Sequence, residues 1–214
     1  MAINIKAISQ IQSDIQHIKP DADLLIVSKN QSIEDIQQLV DLKHYKFGEN
    51  KVQEAKKKYI DLNLRNKINL HLIGPLQSNK VKDALQIFDV IQTIDRKKII
   101  DEIVIYKNKP IKFKTNSFYI QVNIGNEVQK SGVSPNELAS LYNYCLENKM
   151  IISGLMCIPP NGLNATDYFK IMNNLKNELN PKLLLSMGMS SDYKDALCQN
   201  SNLIRIGSLI FNNE

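Results

Sequence analysis

Lys29 closes the run Leu24-Leu25-Ile26-Val27-Ser28, and a lysine placed there invites a chemical reading. Four consecutive aliphatic residues predict a strand buried on both faces, as in a parallel sheet. Side chains alternate along a strand, so Leu25, Val27 and Lys29 share one face and Leu24, Ile26 and Ser28 the other. An ammonium on the inward face costs free energy to bury, so it should be paired, neutral or covalently engaged. The competing expectation is that Lys29 curls out to solvent from the strand end, because lysine is rarely buried without a partner.

Two stretches late in the chain suit an anion. Gly188, Ser190 and the start of a helix at Asp192 can aim backbone N–H groups outward, and Gly207-Ser208 can do the same after the last predicted strand. Short Gly/Ser turns are common and most bind nothing, but phosphate sites in α/β barrels often form after the seventh and eighth strands. A lysine amine beside a phosphate anchor is what a Schiff-base site needs. The ligand of such a site is either pyridoxal phosphate or a phosphorylated sugar. No cluster of Asp and His suggests a metal, and no Ser–His–Asp set is apparent. His71 falls mid-strand and reads as a satisfied core histidine.

These residues need elements to position them. Ile5, Ile8, Ile11, Ile15 and Ile18 recur at helical spacing ahead of Pro20. After the Lys29 strand, Ser32 is placed to cap a helix reaching about Leu42. Strands are then predicted at 44–48, 70–74, 89–93, 117–123, 151–156, 183–186 and 203–207, nearly all with a helix between. Helix starts fall at Ser78, Asp95, Ser134-Pro135, Ala165 and Asp192. Eight strand–helix units without a hairpin turn predict a single-domain (β/α)8 TIM barrel with an N-terminal helix. An open doubly wound sheet is the alternative, but none of the eight glycines falls in GxGxxG spacing. Residues 105–116 read as an exposed connection.

The composition agrees with a globular enzyme-sized domain. Of 214 residues, 43% are hydrophobic and 23% charged, and the net charge is +5. The basic triplet Lys56-Lys57-Lys58 reads as a solvated helix face and not as a nucleic-acid patch. Cys145, Cys157 and Cys198 are isolated, so no zinc site or redox pair is expected, and a reducing cytoplasmic setting fits. No apolar run reaches membrane-spanning length, and the first residues lack the apolar core of a secretory signal.

Taken together, Val27-Ser28-Lys29, Phe47-Gly48-Glu49-Asn50, the run His71 to Lys80, Gln121-Val122-Asn123 with Lys130-Ser131-Gly132, Gly154-Leu155-Met156, Leu185 to Ser190 and Arg205-Ile206-Gly207 resemble the pyridoxal phosphate homeostasis protein family. The resemblance spans about residues 24–211. It implies a fold-type III barrel, like the N-terminal domain of alanine racemase, with pyridoxal 5'-phosphate on Lys29 as an internal aldimine. It implies that Ser190, Gly207 and Ser208 hold the phosphate. By the same resemblance Arg205 lies near the pyridine ring or the phosphate, and Asn50 and Ser186 lie near the ring. It also implies a cofactor carrier or regulator of vitamin B6 balance without known turnover, with apo-enzymes that use the cofactor as possible recipients. A racemase or lyase using the same lysine is the alternative, and a cofactor-free aldolase the third reading. Departures from the family pattern, Asn200-Ser201-Asn202 before the last strand and Ser208 after Arg205-Ile206-Gly207, touch loop geometry only. Only Phe211 to Glu214 follow the last strand–turn unit, which leaves no sequence for a lid domain. A monomer is expected.

Overall fold

The computed structural model describes residues 3–60, 62–160, 162 and 164–211. Eight parallel strands form a closed barrel in chain order. They are β1 (Asp23–Val27), β2 (Lys46–Glu49), β3 (Asn69–Leu72), β4 (Val90–Ile94), β5 (Ser117–Val122), β6 (Ile152–Cys157), β7 (Leu184–Ser186) and β8 (Leu203–Ile206). Among the described residues ten α-helices accompany them: α1 (Ile5–Ile18), α2 (Ile33–Asp41), α3 (Val52–Lys58), α4 (Leu62–Lys67), α5 (Val81–Ile87), α6 (Lys97–Lys107), α7 (Leu138–Glu147), α8 (Ala165–Leu179), α9 (Tyr193–Cys198) and α10 (Ser208–Phe211). The (β/α)8 expectation holds, and the open-sheet alternative falls because β8 pairs with β1 through Leu25↔Arg205 and its neighbours.

Strand register explains the two layers of the core. Ile26, Phe47 and Leu70 are cross-strand neighbours, so they project to one face, and all are buried in the layer shared with the helices. Ile120, Leu155 and Leu185 form the equivalent row on the far side. Each such side chain contributes about 1.5–3 kcal/mol on burial. The opposite parity, Leu25, Gly48, His71, Gln121, Met156, Ser186 and Arg205, faces the barrel interior. That interior is unusually polar.

Helix boundaries follow local hydrogen bonding. Ser32 caps α2 as its sequence position predicts, in a reciprocal capping box with Asp35. The expected start at Asp95 moves by two residues to Lys97, because the Asp95 carboxylate accepts instead from Arg96 at 2.6 Å. The starts at Ser78 and Pro135 open with a 3-10 turn before α5 and α7. Helix α4 had no periodic signal. It is tied down by Arg65, which is 3% exposed and donates to the Ile87 carbonyl (2.7 Å from Nε) and to Asp89 (2.6 Å). The tail at 212–214 lies outside the described residues.

At the C-terminal rim of β3 the backbone passes very close to β2. A Cβ on Gly74 would lie 2.1 Å from the Asn50 carbonyl oxygen. Gly74→Ala should therefore destabilise the barrel by about 1–3 kcal/mol, read as a lower urea midpoint with an unchanged slope.

Candidate functional site

The mouth of the barrel holds a cleft of about 470 Å³ bordered by Val27, Lys29, Ser190, Arg205, Gly207 and Ser208. Three chain segments build it: the turn after β1, the loop from β7 to α9, and the junction of β8 with α10. The sequence candidates Lys29, Ser190, Arg205, Gly207 and Ser208 thus meet in one place. Asn50 and Ser186 do not line this cleft. Asn50 lies in the neighbouring depression with Gln77 and Lys80, since β2 delivers it to a different sector of the rim. Ser186 is fully buried beneath the cleft.

Lys29 is exposed, which corrects the expectation of a buried, inward ammonium. Strand β1 stops at Val27, so the alternation no longer governs residue 29. The turn carries the amine to the wet edge of the cleft. Across from it, Gly188 adopts φ +95 where a Cβ would lie 2.6 Å from Ala196, a conformation and an approach that favour glycine. The Asp192 carboxylate accepts the Met189 N–H at 2.6 Å and fixes this loop. At α10, the Ile210 and Phe211 N–H groups both return to the Gly207 carbonyl. In such a turn the preceding N–H groups of Ser208 and Leu209 have no intrahelical acceptor.

Arg205 forms the floor. It is 4% exposed and forms no ion pair among the described residues. Nη1 donates to the Ser186 carbonyl at 2.6 Å and to Ser186 Oγ at 2.9 Å, and Nη2 donates to the Cys157 carbonyl at 2.8 Å. Burial lowers its pKa from the ordinary value, yet an arginine remains a cation at neutral pH. A chain of bonds runs on from it across the barrel. Ser186 Oγ donates to Gln92 Oε1 at 2.7 Å, and Gln92 Nε2 lies 2.7 Å from His71 Nδ1. With Ser186 donating, the Gln92 amide presents N–H to His71, so Nδ1 accepts and Nε2 carries the proton. Burial and the Lys46 charge push the His71 pKa down to about 3. The reading of His71 as a satisfied core histidine holds.

Sequence reasoning missed a second cluster. Lys58, expected on a solvated face, turns inward with its side chain 10% exposed and pairs with Glu49 at 2.8 Å and Glu54 at 3.2 Å. Glu49 is fully buried and also accepts from Ser28 Oγ at 2.8 Å. The i,i+4 spacing of Glu54 and Lys58 was the available signal.

No family model matches the chain. It is 39% identical over 223 residues to the pyridoxal phosphate homeostasis protein of Pasteurella multocida, covering 95% of this chain and 94% of that one. The chain belongs to the pyridoxal phosphate homeostasis protein family. The same name is carried by an Aquifex aeolicus relative at 38% identity, with 89% of this chain and 86% of that one covered. PipY of Synechococcus elongatus, solved with pyridoxal phosphate bound, superposes with a TM-score of 0.78 at 28% identity, covering 96% of this chain and 98% of PipY. Alanine racemase from Acinetobacter baumannii shares the fold, with a TM-score of 0.75 at 15% identity, and the match covers 63% of the racemase.

The neutral His71 links stability to pH. Its folded pKa lies below the unfolded value of about 6.5, so the unfolded chain takes up the extra proton. The resulting stabilisation is complete above pH ~6.5 and declines toward pH ~3, by at most about 1.4 kcal/mol per pH unit. Urea titrations between these limits should show a steeper acid loss in wild type than in His71→Gln, which lacks the titrating group.

Proposed function

We propose that this chain binds pyridoxal 5'-phosphate covalently through Lys29 and serves vitamin B6 homeostasis as a carrier without catalytic turnover. The observation that carries the reading is the cleft itself. It joins one exposed amine, one buried guanidinium that forms no ion pair among the described residues, and two Gly/Ser turns. The donor set matches the ligand: an amine for an aldehyde, and N–H and hydroxyl donors on Ser190, Gly207 and Ser208 for a phosphate dianion. Arg205 faces the cleft from below and would meet the ring nitrogen or the phosphate, with Ser186 holding its guanidinium. Asn50, on the adjacent rim, would approach the ring from the side. The Lys29 nitrogen adds to the aldehyde carbon, a C=N bond replaces C=O, and one water leaves, so no oxidant or reductant is needed. Once bound, the cofactor supplies an electron sink for carbanions. PipY, at 28% identity, was solved with pyridoxal phosphate bound.

The carrier reading is supported by what surrounds the amine. Among the described residues lining the cleft there is no tyrosine, histidine, cysteine or carboxylate to serve as a second acid–base. An open cleft also leaves water in contact with the ligand, which weakens the electrostatic stabilisation that carbanion chemistry needs. Enzymes lacking their cofactor are the class of partner such a carrier serves.

Borohydride reduction of the loaded protein followed by peptide mapping should place the pyridoxyl mass on Lys29. A label on Lys46 or Lys80 would refute the assignment. Lys29→Ala should lose the visible absorbance band and keep its unfolding transition.

Incubation of the loaded protein with L-alanine, L-serine or L-lysine in deuterated water should give no Cα exchange at enzymatic rates. Exchange on the order of 1 s⁻¹ or faster, abolished in Lys29→Ala, would make it an enzyme.

A further inference from the structure

The turn that carries Lys29 is held from behind by ionised side chains. Lys58 Nζ donates to the Ser28 carbonyl at 2.7 Å, from thirty residues away. Glu54 Oε1 accepts the Asn30 N–H at 2.7 Å. The peptide groups flanking Lys29 on both sides therefore end on one cluster, and Lys58 closes it by pairing with both Glu49 and Glu54. Asn30 adopts φ 61, a left-handed conformation that side-chain-bearing residues seldom take. The charge-assisted bond from its N–H to Glu54 offsets that cost.

The cluster is a costly way to hold one helix, one strand and the turn after β1 together. Glu49 is fully buried, its Oε2 has no hydrogen-bond partner, and burial pushes its carboxyl pKa up despite the Lys58 charge. A buried ion pair often adds less stability than apolar residues of similar volume. Its placement gives it another use, because it touches the lysine turn and not the ligand cleft. No residue of the cluster lines the cleft that Lys29 borders.

We propose that Lys58, Glu54 and Glu49 are positioning residues for Lys29, which fix the turn at Ser28 and Asn30 so that its amine is presented to the cleft. The inference rests on the covalent reading given above. It concerns how fast the amine captures an aldehyde, and it leaves the phosphate and ring contacts untouched.

The test compares two ligands that differ only at the reacting carbon. Pyridoxal 5'-phosphate reports covalent capture, and pyridoxine 5'-phosphate, an alcohol, reports the non-covalent site alone. The variants are Glu54→Ala, Lys58→Met, Lys58→Arg and the charge-neutral double variant Glu49→Gln/Lys58→Met. Capture by Glu54→Ala and Lys58→Met should slow by about tenfold, while pyridoxine 5'-phosphate affinity stays within about twofold of wild type. Lys58→Arg should recover part of the rate. Glu54 is a quarter exposed, so Glu54→Ala carries the test even where a Lys58 variant fails to fold. An unchanged capture rate in Glu54→Ala, or parallel weakening of both ligands, overturns the positioning role. A wild-type protein that binds pyridoxine 5'-phosphate but captures no aldehyde overturns the covalent reading, and this inference with it.

Discussion

A buried guanidinium that forms no ion pair among the described residues constrains everything around it. Arg205 stays charged, so its surroundings must offer oxygen acceptors in a space that a barrel ordinarily fills with aliphatic side chains. Ser186 contributes both its carbonyl and its hydroxyl, and Cys157 its carbonyl. Using the Ser186 hydroxyl as an acceptor commits its proton to Gln92, and Gln92 in turn commits its amide to His71. One buried charge thus dictates residue types on β8, β7, β4 and β3. An anionic ligand above Arg205 would add to the Asp192 charge, which acts on the guanidinium without forming an ion pair.

The barrel separates two tasks by strand parity. Outward residues such as Ile26, Phe47 and Leu155 seal strands against helices and supply the stability. Inward residues carry the polar chain and the floor of the cleft. Ser28 and Glu49 break this division, since they lie on the outward parity yet are polar and fully buried. They sit where the outer layer meets the lysine turn. These outer-layer polar residues therefore border the same site as Arg205, from behind and not from below.

Much of this was legible in the sequence, for definable reasons. The strands announced themselves as short aliphatic runs such as Leu24 to Val27 and Leu183 to Leu185, although Leu184 is exposed. The Gly/Ser turns at Ser190 and Gly207 were visible because close backbone approach leaves a compositional trace. Lys29 was found by alternation, although the exposure came out reversed, because alternation ends where the strand does. Lys58 was misread for a different reason. Its contacts to Ser28 and Glu49 span thirty and nine residues, which no local period encodes, and only its i,i+4 pairing with Glu54 was local. Asn50 and Ser186 were assigned through resemblance, and neither lines the cleft itself. Helix α4 is too short for a period to register.

The pairing of β1 with β8 has a consequence for how the protein comes into being. A ribosome releases β1 first among the strands and β8 last, so the barrel has an open seam throughout most of synthesis. The lysine turn stands on one lip of that seam and the glycine–serine junction with Arg205 on the other. The Asn4 N–H bond to the Ile210 carbonyl, at 2.8 Å, fastens the same seam from outside through α1 and α10. The ligand cleft therefore does not exist in a nascent chain, and it appears in the same event that closes the ring. A molecule bound across that joint would favour the closed ring over the unfolded chain, because only the folded form presents both lips together.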